Sequence, residues 1–290
     1  MPTLIDLRRR IQSVRNSQKI TQAMKTVSTA KFRKVQRTVV AARPFWHLFP
    51  ELVSRLAYWA CDGGGHPLLD RRRETSVEVL VVTSDKGLAG AFNSNLLARA
   101  LSFIQEKEAG ASVRLVLVGK KAVGFFKKHA WPVDRACGDR TDKLTRDEIR
   151  DLAEFLMRQY AFQKIDAVYV VYNEFRSIIA PRIMETKILP IAPNPGAEAS
   201  AAWIPDWEPG SDRLARFILP LFVESQIHHV LHESQAAEQA ARMMAMDNAT
   251  KNAEELIDDL VLVLNKIRQA GITKELLEIM TAVEALRESA

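Results

Sequence analysis

Hydrophobic positions at the two ends of this 290-residue chain recur at helical spacing. At the start, Leu4, Leu7, Ile11 and Val14 follow a 3-4-3 pattern, and Ile20, Met24 and Val27 continue it after a phase shift. Residues Thr3 to Arg43 contain neither Gly nor Pro, so the pattern predicts one long helix, broken or kinked near Pro44. An apolar segment from Leu48 to Ala60 follows and ends in the loop Cys61-Asp62-Gly63-Gly64-Gly65. Near the other end, Val230, Ser234, Ala237, Ala241 and Met244 keep a 4-3-4-3 spacing. After a one-residue shift, Ala249, Ala253, Leu256, Leu260, Val263, Ile267 and Ala270 do the same. From Leu221 onward there is no Pro, and only Gly271 interrupts good helix formers. A helix of roughly 70 residues, rising ~1.5 Å per residue, would be on the order of 100 Å long. That is too long to bury in a domain of this size. The two termini are therefore predicted to pair as a long antiparallel coiled coil.

Between them the pattern changes to short β-branched runs alternating with helices. Val77–Thr83, Val113–Gly119 and Asp166–Tyr172 read as strands, with Ile183–Ile191 as an edge strand. Asn93–Ala109, Lys120–His129 and residues 145–162 read as helices, the last opened by a capping box of Thr145 and Glu148. Val- and Leu-rich strands separated by helices predict a mostly parallel sheet covered on both faces. The predicted class is α/β, a long antiparallel coiled coil of the terminal helices plus a central Rossmann-like α/β domain. The expected bounds are 1–60 for the N-terminal helix, 75–200 for the central domain and 211–290 for the C-terminal helix. The connection over 192–212 is proline-rich, holds Trp203 and Trp207, and reads as irregular.

Composition narrows the classes. With 47% apolar and 26% charged residues the chain is that of a folded, water-facing protein. No apolar run reaches the ~18–20 residues that span a bilayer. The start, with Arg8-Arg9-Arg10 and no apolar stretch behind them, is not that of a secretory signal, and its continuation into the coiled coil disfavours a transit peptide. Cys61 and Cys137 form no metal or redox spacing and suit a reducing compartment. The net charge of +6 conceals an asymmetry. Residues 1–43 hold eleven Lys or Arg against Asp6 alone, whereas residues 221–290 hold six against twelve acids. Opposite charge favours pairing of the two helices and helps set their register. The basic surplus remains for an acidic partner, whether a protein loop or nucleic acid.

Catalytic chemistry is hard to find. The turn Ser84-Asp85-Lys86-Gly87-Leu88-Ala89-Gly90 stands where a phosphate loop would, but it has neither the Gly-x-x-x-x-Gly-Lys spacing nor Gly-x-Gly-x-x-Gly. It reads as a tight surface turn. His228 and His232 share a helix face beside His229, without acids to complete a metal site, and read as surface histidines. No Ser/His/Asp or Cys/His arrangement presents itself, so the chain reads as a non-enzyme with no cofactor.

At both ends the sequence resembles the γ subunit family of F-type ATP synthases. The carrying stretches are Asp6–Val14 (DLRRRIQSV), Gln18–Lys25 (QKITQAMK), Glu224–Gln226, Ser234–Met246 (SQAAEQAARMMAM), Asn265–Ala270, Ile272–Leu276, and Ser84–Asn93 in the middle. Two departures are Ala89, where the family often has Cys, and Gly271, where it often has Ser. The latter costs about 1 kcal/mol of helix propensity and is expected to loosen the C-terminal tip. The cysteine-bearing insertion of plastid members is missing, which favours a bacterial source. The resemblance implies a central-stalk rotor, its helix pair standing inside a ring of α and β subunits. The α/β domain would contact the ε subunit and the membrane c ring, with δ elsewhere in the complex. It implies no nucleic acid, and a membrane reached only through the complex, at the cytoplasmic face of the bacterial inner membrane. By matching motif it implies that Arg268 and Gln269 engage β, that Lys19, Met24 and Lys25 lie near β loops, and that Trp203, Trp207 and Glu208 form a foot toward ε and the c ring. Two other classes compete: a basic coiled-coil protein that binds nucleic acid, and a nucleotide-binding enzyme built on the α/β domain.

Overall fold

The computed structural model describes residues 3–61, 66–138, 145–178, 181–192, 208 and 210–288. Helix α1 runs Leu4–Cys61 and helix α5 Ser211–Glu288. Between them come β1 (Ser76–Val82), α2 (Phe92–Glu108), β2 (Ser112–Val118), α3 (Lys120–Phe126), β3 (Val133–Cys137), α4 (Arg146–Ala161), β4 (Ala167–Glu174) and β5 (Arg182–Leu189). Contacts divide the chain into two compact units, Met1–Val27 with Met243–Ala290, and Ser28–Arg242.

The larger unit holds a five-stranded sheet in the order β3-β2-β1-β4-β5. The first four strands are parallel and β5 is an antiparallel edge. The central strands β1 and β4 are buried almost throughout, as a sheet covered on both faces requires. On one face Leu80, Val82, Val116, Val170 and Tyr172 pack on Leu152 and Leu156 of α4, on Val53 and Leu56 of α1, and on Leu219, Val223 and Ile227 of α5. On the other, Val79, Val81, Leu115 and Leu117 pack on Leu96, Ala100 and Ile104 of α2 and on Phe126 of α3. The Thr145–Glu148 capping box is present at the start of α4.

Three expectations are corrected. Helix α1 does not break at Pro44; it continues through Pro44 and Pro50 to Cys61. Each proline costs ~3 kcal/mol in a helix interior, and burial of Phe49, Val53, Leu56 and Ala57 against the sheet side offsets that locally. Strand β3 escaped the sequence reading because it is short, half-exposed and carries Asp134 and Arg135, so no apolar run marks it. The histidines of α5 are not surface groups: His228, His229 and His232 are half-buried.

Candidate functional site

In the smaller unit the two helices meet along a narrow antiparallel seam. Leu7 and Ile11 pack against Ile257 and Leu260, with Val14, Leu264 and Ile267 closing the edges. Toward residue 25 the seam turns polar. The hydroxyls of Thr21 and Thr250 lie 2.8 Å apart, and Lys25 Nζ donates to Asp247 Oδ1 at 2.6 Å. Hydrogen bonding first to Lys25 and then to Lys251 holds the Asp247 carboxyl below its usual range. The start of α1 is closed by Thr3 and Asp6, each bonding the other's backbone or side chain. That hydrogen bonding lowers the Asp6 carboxyl.

The seam does not take the predicted phase shift. Along α1 in this unit, the inward positions run Leu7, Ile11, Val14, Gln18, Thr21 and Lys25. That is an unbroken 4-3 repeat. Ile20 and Val27 point outward, 60% and 56% exposed. On α5 the inward set is Met246, Thr250, Ala253, Ile257, Leu260, Leu264 and Ile267. The predicted Leu256 and Val263 lie outside it, at 39% and 42% exposure, and Ala249 and Ala270 are likewise displaced from it by one position. Thr21 and Lys25 are held in the seam by the cross-helix partners Thr250 and Asp247, which satisfy their polar groups there. A strict 3.5-residue repeat then keeps one face inward over many turns.

The candidate contact residues fall on this helix pair. Lys19, Arg268 and Gln269 are exposed, and Met24 is half-buried beside the seam. Lys25 is engaged by Asp247. Gly271 occupies a seam position without breaking α5, and a methyl group there would meet no atom within 4 Å. Beyond it Ile272, Leu276, Leu277, Ile279, Met280 and Val283 are 47–67% exposed. Glu208 is exposed, while Trp203 and Trp207 lie outside the described residues.

The Ser84–Gly90 turn is closed by its own hydrogen bonds. Ser84 N donates to Asn93 Oδ1 at 3.1 Å and Ser84 Oγ to the Lys86 carbonyl at 2.7 Å. Arg242 of α5, itself buried, donates to the Lys86 and Gly87 carbonyls at 3.4 Å and to Glu238 Oε1 at 2.6 Å. Leu88 and Gly90 take positive φ of 62° and 58°, which sets the sharp reversal. A phosphate loop offers free backbone N–H groups; this turn directs its carbonyls to an arginine. Among the described residues no group of three or more His, Cys, Asp or Glu is arranged to hold a metal. No described helix is long and apolar enough to cross a membrane.

Two features were missed from the sequence. One is the buried Glu238–Arg242 pair, visible only as an i,i+4 spacing. The other is Glu78, fully buried on β1, whose carboxylate oxygens meet no hydrogen-bond partner among the described residues. Burial first, and the nearby Asp134 second, push its carboxyl up to about 7, against the opposing pull of Arg114.

A family model described as ATP synthase matches residues 3–286. A chain named ATP synthase gamma chain from Pelotomaculum thermopropionicum is 40% identical over 287 residues, 99% of this chain and 100% of that one. Its namesake from Solibacter usitatus is 41% identical over 288 residues, 98% and 99% of the two chains. The chain belongs to the ATP synthase γ chain family. The fold agrees. A chain of the Euglena gracilis mitochondrial ATP synthase structure of F1 and c ring superposes with a TM-score of 0.65 at 20% identity, covering 98% of this chain and 94% of that one. One from the central stalk and c ring of the Tetrahymena thermophila enzyme gives 0.60 at 22% identity, covering 79% and 99%.

Proposed function

We infer that this chain is the central-stalk rotor of an F-type ATP synthase, carrying torque between a membrane c ring and a catalytic ring of α and β subunits. The family match supports this reading, and the observation that carries it mechanically is the exposed apolar end of α5. Six large apolar side chains from Ile272 to Val283 stand in water on a single helix. Apolar surface of that extent on a helix calls for a covering partner, and a sleeve of subunits supplies one. The polar middle of the seam fits a part that must stay paired while its surface slides past neighbours. On this reading the chain has no active site of its own; nucleotide chemistry belongs to the surrounding ring. Arg268 and Gln269 engage β, Lys19, Met24 and Lys25 lie near β loops, and Trp203, Trp207 and Glu208 form the foot toward ε and the c ring. The complex stands on the cytoplasmic face of a bacterial inner membrane. The nucleic-acid reading finds no support in the comparisons.

The test is assembly with α and β subunits from the same source. A complex of three α, three β and one copy of this chain is expected. Its ATPase activity should fall several-fold on Arg268→Ala or Gln269→Ala, with assembly retained. A chain that leaves the α/β ring unassembled and its activity unchanged would sink the reading.

A further inference from the structure

The larger unit gathers three histidines where three elements converge. His229 lies against the indole of Trp46 on α1, ring centroids 4.4 Å apart, and His232 lies 6.4 Å from the same indole. His228 stacks on His232 at 6.1 Å, with planes 24° apart. About a quarter of each of the His228 and His229 side chains reaches water, and His232 is half-buried.

We propose that this cluster is an acid-sensitive joint between α1 and α5: the neutral His229 and His232 rings pack against the Trp46 indole, His229 tilted by 41°, with His228 stacked on His232, and protonation of more than one of the three loosens the packing of the two helices there. This goes beyond the rotor reading and does not depend on it.

The charges around the cluster set the balance. On α5, Glu224 Oε1 lies 3.8 Å from His228 Nε2, and Glu233 Oε1 lies 3.6 Å from His229 Nε2. Of the two, Glu224 favours the cationic form of His228. Glu233 is already committed, because its other oxygen accepts from Phe175 N at 3.0 Å. From α4, Arg146 lies 3.8 Å from Glu224 and competes for that carboxylate. From β4, Tyr172 lies near enough to Glu233 to feel its charge, as it does that of Glu174. On α1, Trp46 makes the ring contacts, and the side chain of its neighbour His47 lies outside the described residues. An indole face attracts one cation, but a second cation about 6 Å from the first enters against repulsion in a half-buried place. Desolvation is the leading influence on both His228 and His232 and lowers both. His228 and His229 lower His232 further. A histidine lowered in the folded state is neutral in both states above about 6.5. Stability is therefore complete there and is lost as pH falls through the folded value.

The experiment uses the full chain. Trp46 emission, taken as wild type minus Trp46→Phe, is followed from pH 8 to 5, together with the urea midpoint. Protonated imidazole quenches indole at contact, so the Trp46 signal should fall by a third or more, with a midpoint below 6.5. The His228→Gln/His232→Gln variant should lose at least half of the midpoint decrease that wild type shows between pH 7.5 and 5.5. An unchanged Trp46 signal, a midpoint at or above 6.5, or an equal acid loss in the variant would overturn the proposal. If the double variant does not fold, the wild-type emission titration decides alone.

Discussion

The same two helices are packed in two ways. In the larger unit, α1 and α5 are buried against a sheet, and Leu56, Leu219, Val223 and Ile227 retain at most a trace of exposure. In the smaller unit they have only each other. The seam there is narrow, its buried members on α5, Met246, Leu260 and Ile257, still show 5%, 8% and 9%, and Ile20, Val27, Leu262 and Val263 face outward. A sheet covers a broad face of a helix, whereas a lone partner helix covers a stripe. The first arrangement supports stability within the chain. The second leaves apolar surface for another molecule, which is what a shaft inside a sleeve needs.

The largest expected effect tests that contrast directly. Leu156→Ala, in the fully buried core of the larger unit, should cost about 2–5 kcal/mol in urea unfolding. Leu260→Ala in the seam should cost less than half as much. Equal losses would break the comparison, because they would mean that the stripe is packed as tightly as the core.

Next comes Glu78→Gln. The carboxyl ionises near 4.5 when unfolded and near 7 when folded. Stability is therefore full at low pH and falls as pH climbs from the first value through the second. At about 1.4 kcal/mol per unit, the variant should be more stable than wild type by up to about 3 kcal/mol at pH 8, with little difference at pH 5. Denaturant midpoints at the two pH values check it, and a variant no more stable than wild type at pH 8 would mean that the carboxylate is well solvated. This alkaline loss runs opposite to the acid loss expected from the histidine cluster, so the two sets of variants sharpen different limbs of one pH profile.

A smaller gain is expected from Gly271→Ala. The added methyl meets no neighbour within 4 Å, so helix propensity alone should add about 1 kcal/mol. Hydrogen exchange of amides in the following turns should slow about fivefold. No slowing would show that those turns fray independently of residue 271.

Smallest of all is Asp247→Asn. The Lys25–Asp247 pair is partly exposed, at 36% and 23% of the two side chains, so water screens it. Its loss should be measurable only at low salt and vanish near 1 M, where the Debye length is ~3 Å. A salt-independent loss would point to packing in place of charge.

The alternation of strands and helices was legible because buried parallel strands must be continuous apolar runs, as Val79–Val82 and Leu115–Val118 are. Edge strand β3 was not, since one partner strand and a half-wet face ask for no such run. The candidate contact residues Arg268 and Gln269 came from motif resemblance; their exposure is a property of the helix pair. The inward face of each helix was legible only in part. Leu256 and Ile257, or Val263 and Leu264, are equally apolar neighbours, and nothing local chooses between them.

Taken alone, the amino-acid sequence determined the long terminal helices, the α/β centre and the family, because helix propensity, apolar period and motif are local properties. Only the tertiary structure decided which stripe faces inward, that Pro44 is carried within α1, that Arg242 closes the Ser84–Gly90 turn, and that Glu78 is buried without a hydrogen-bond partner among the described residues. Each of these depends on what distant segments offer: a cross-helix hydroxyl, a sheet face, a carbonyl pair, or, for Glu78, a packed surround whose described residues supply no hydrogen bond.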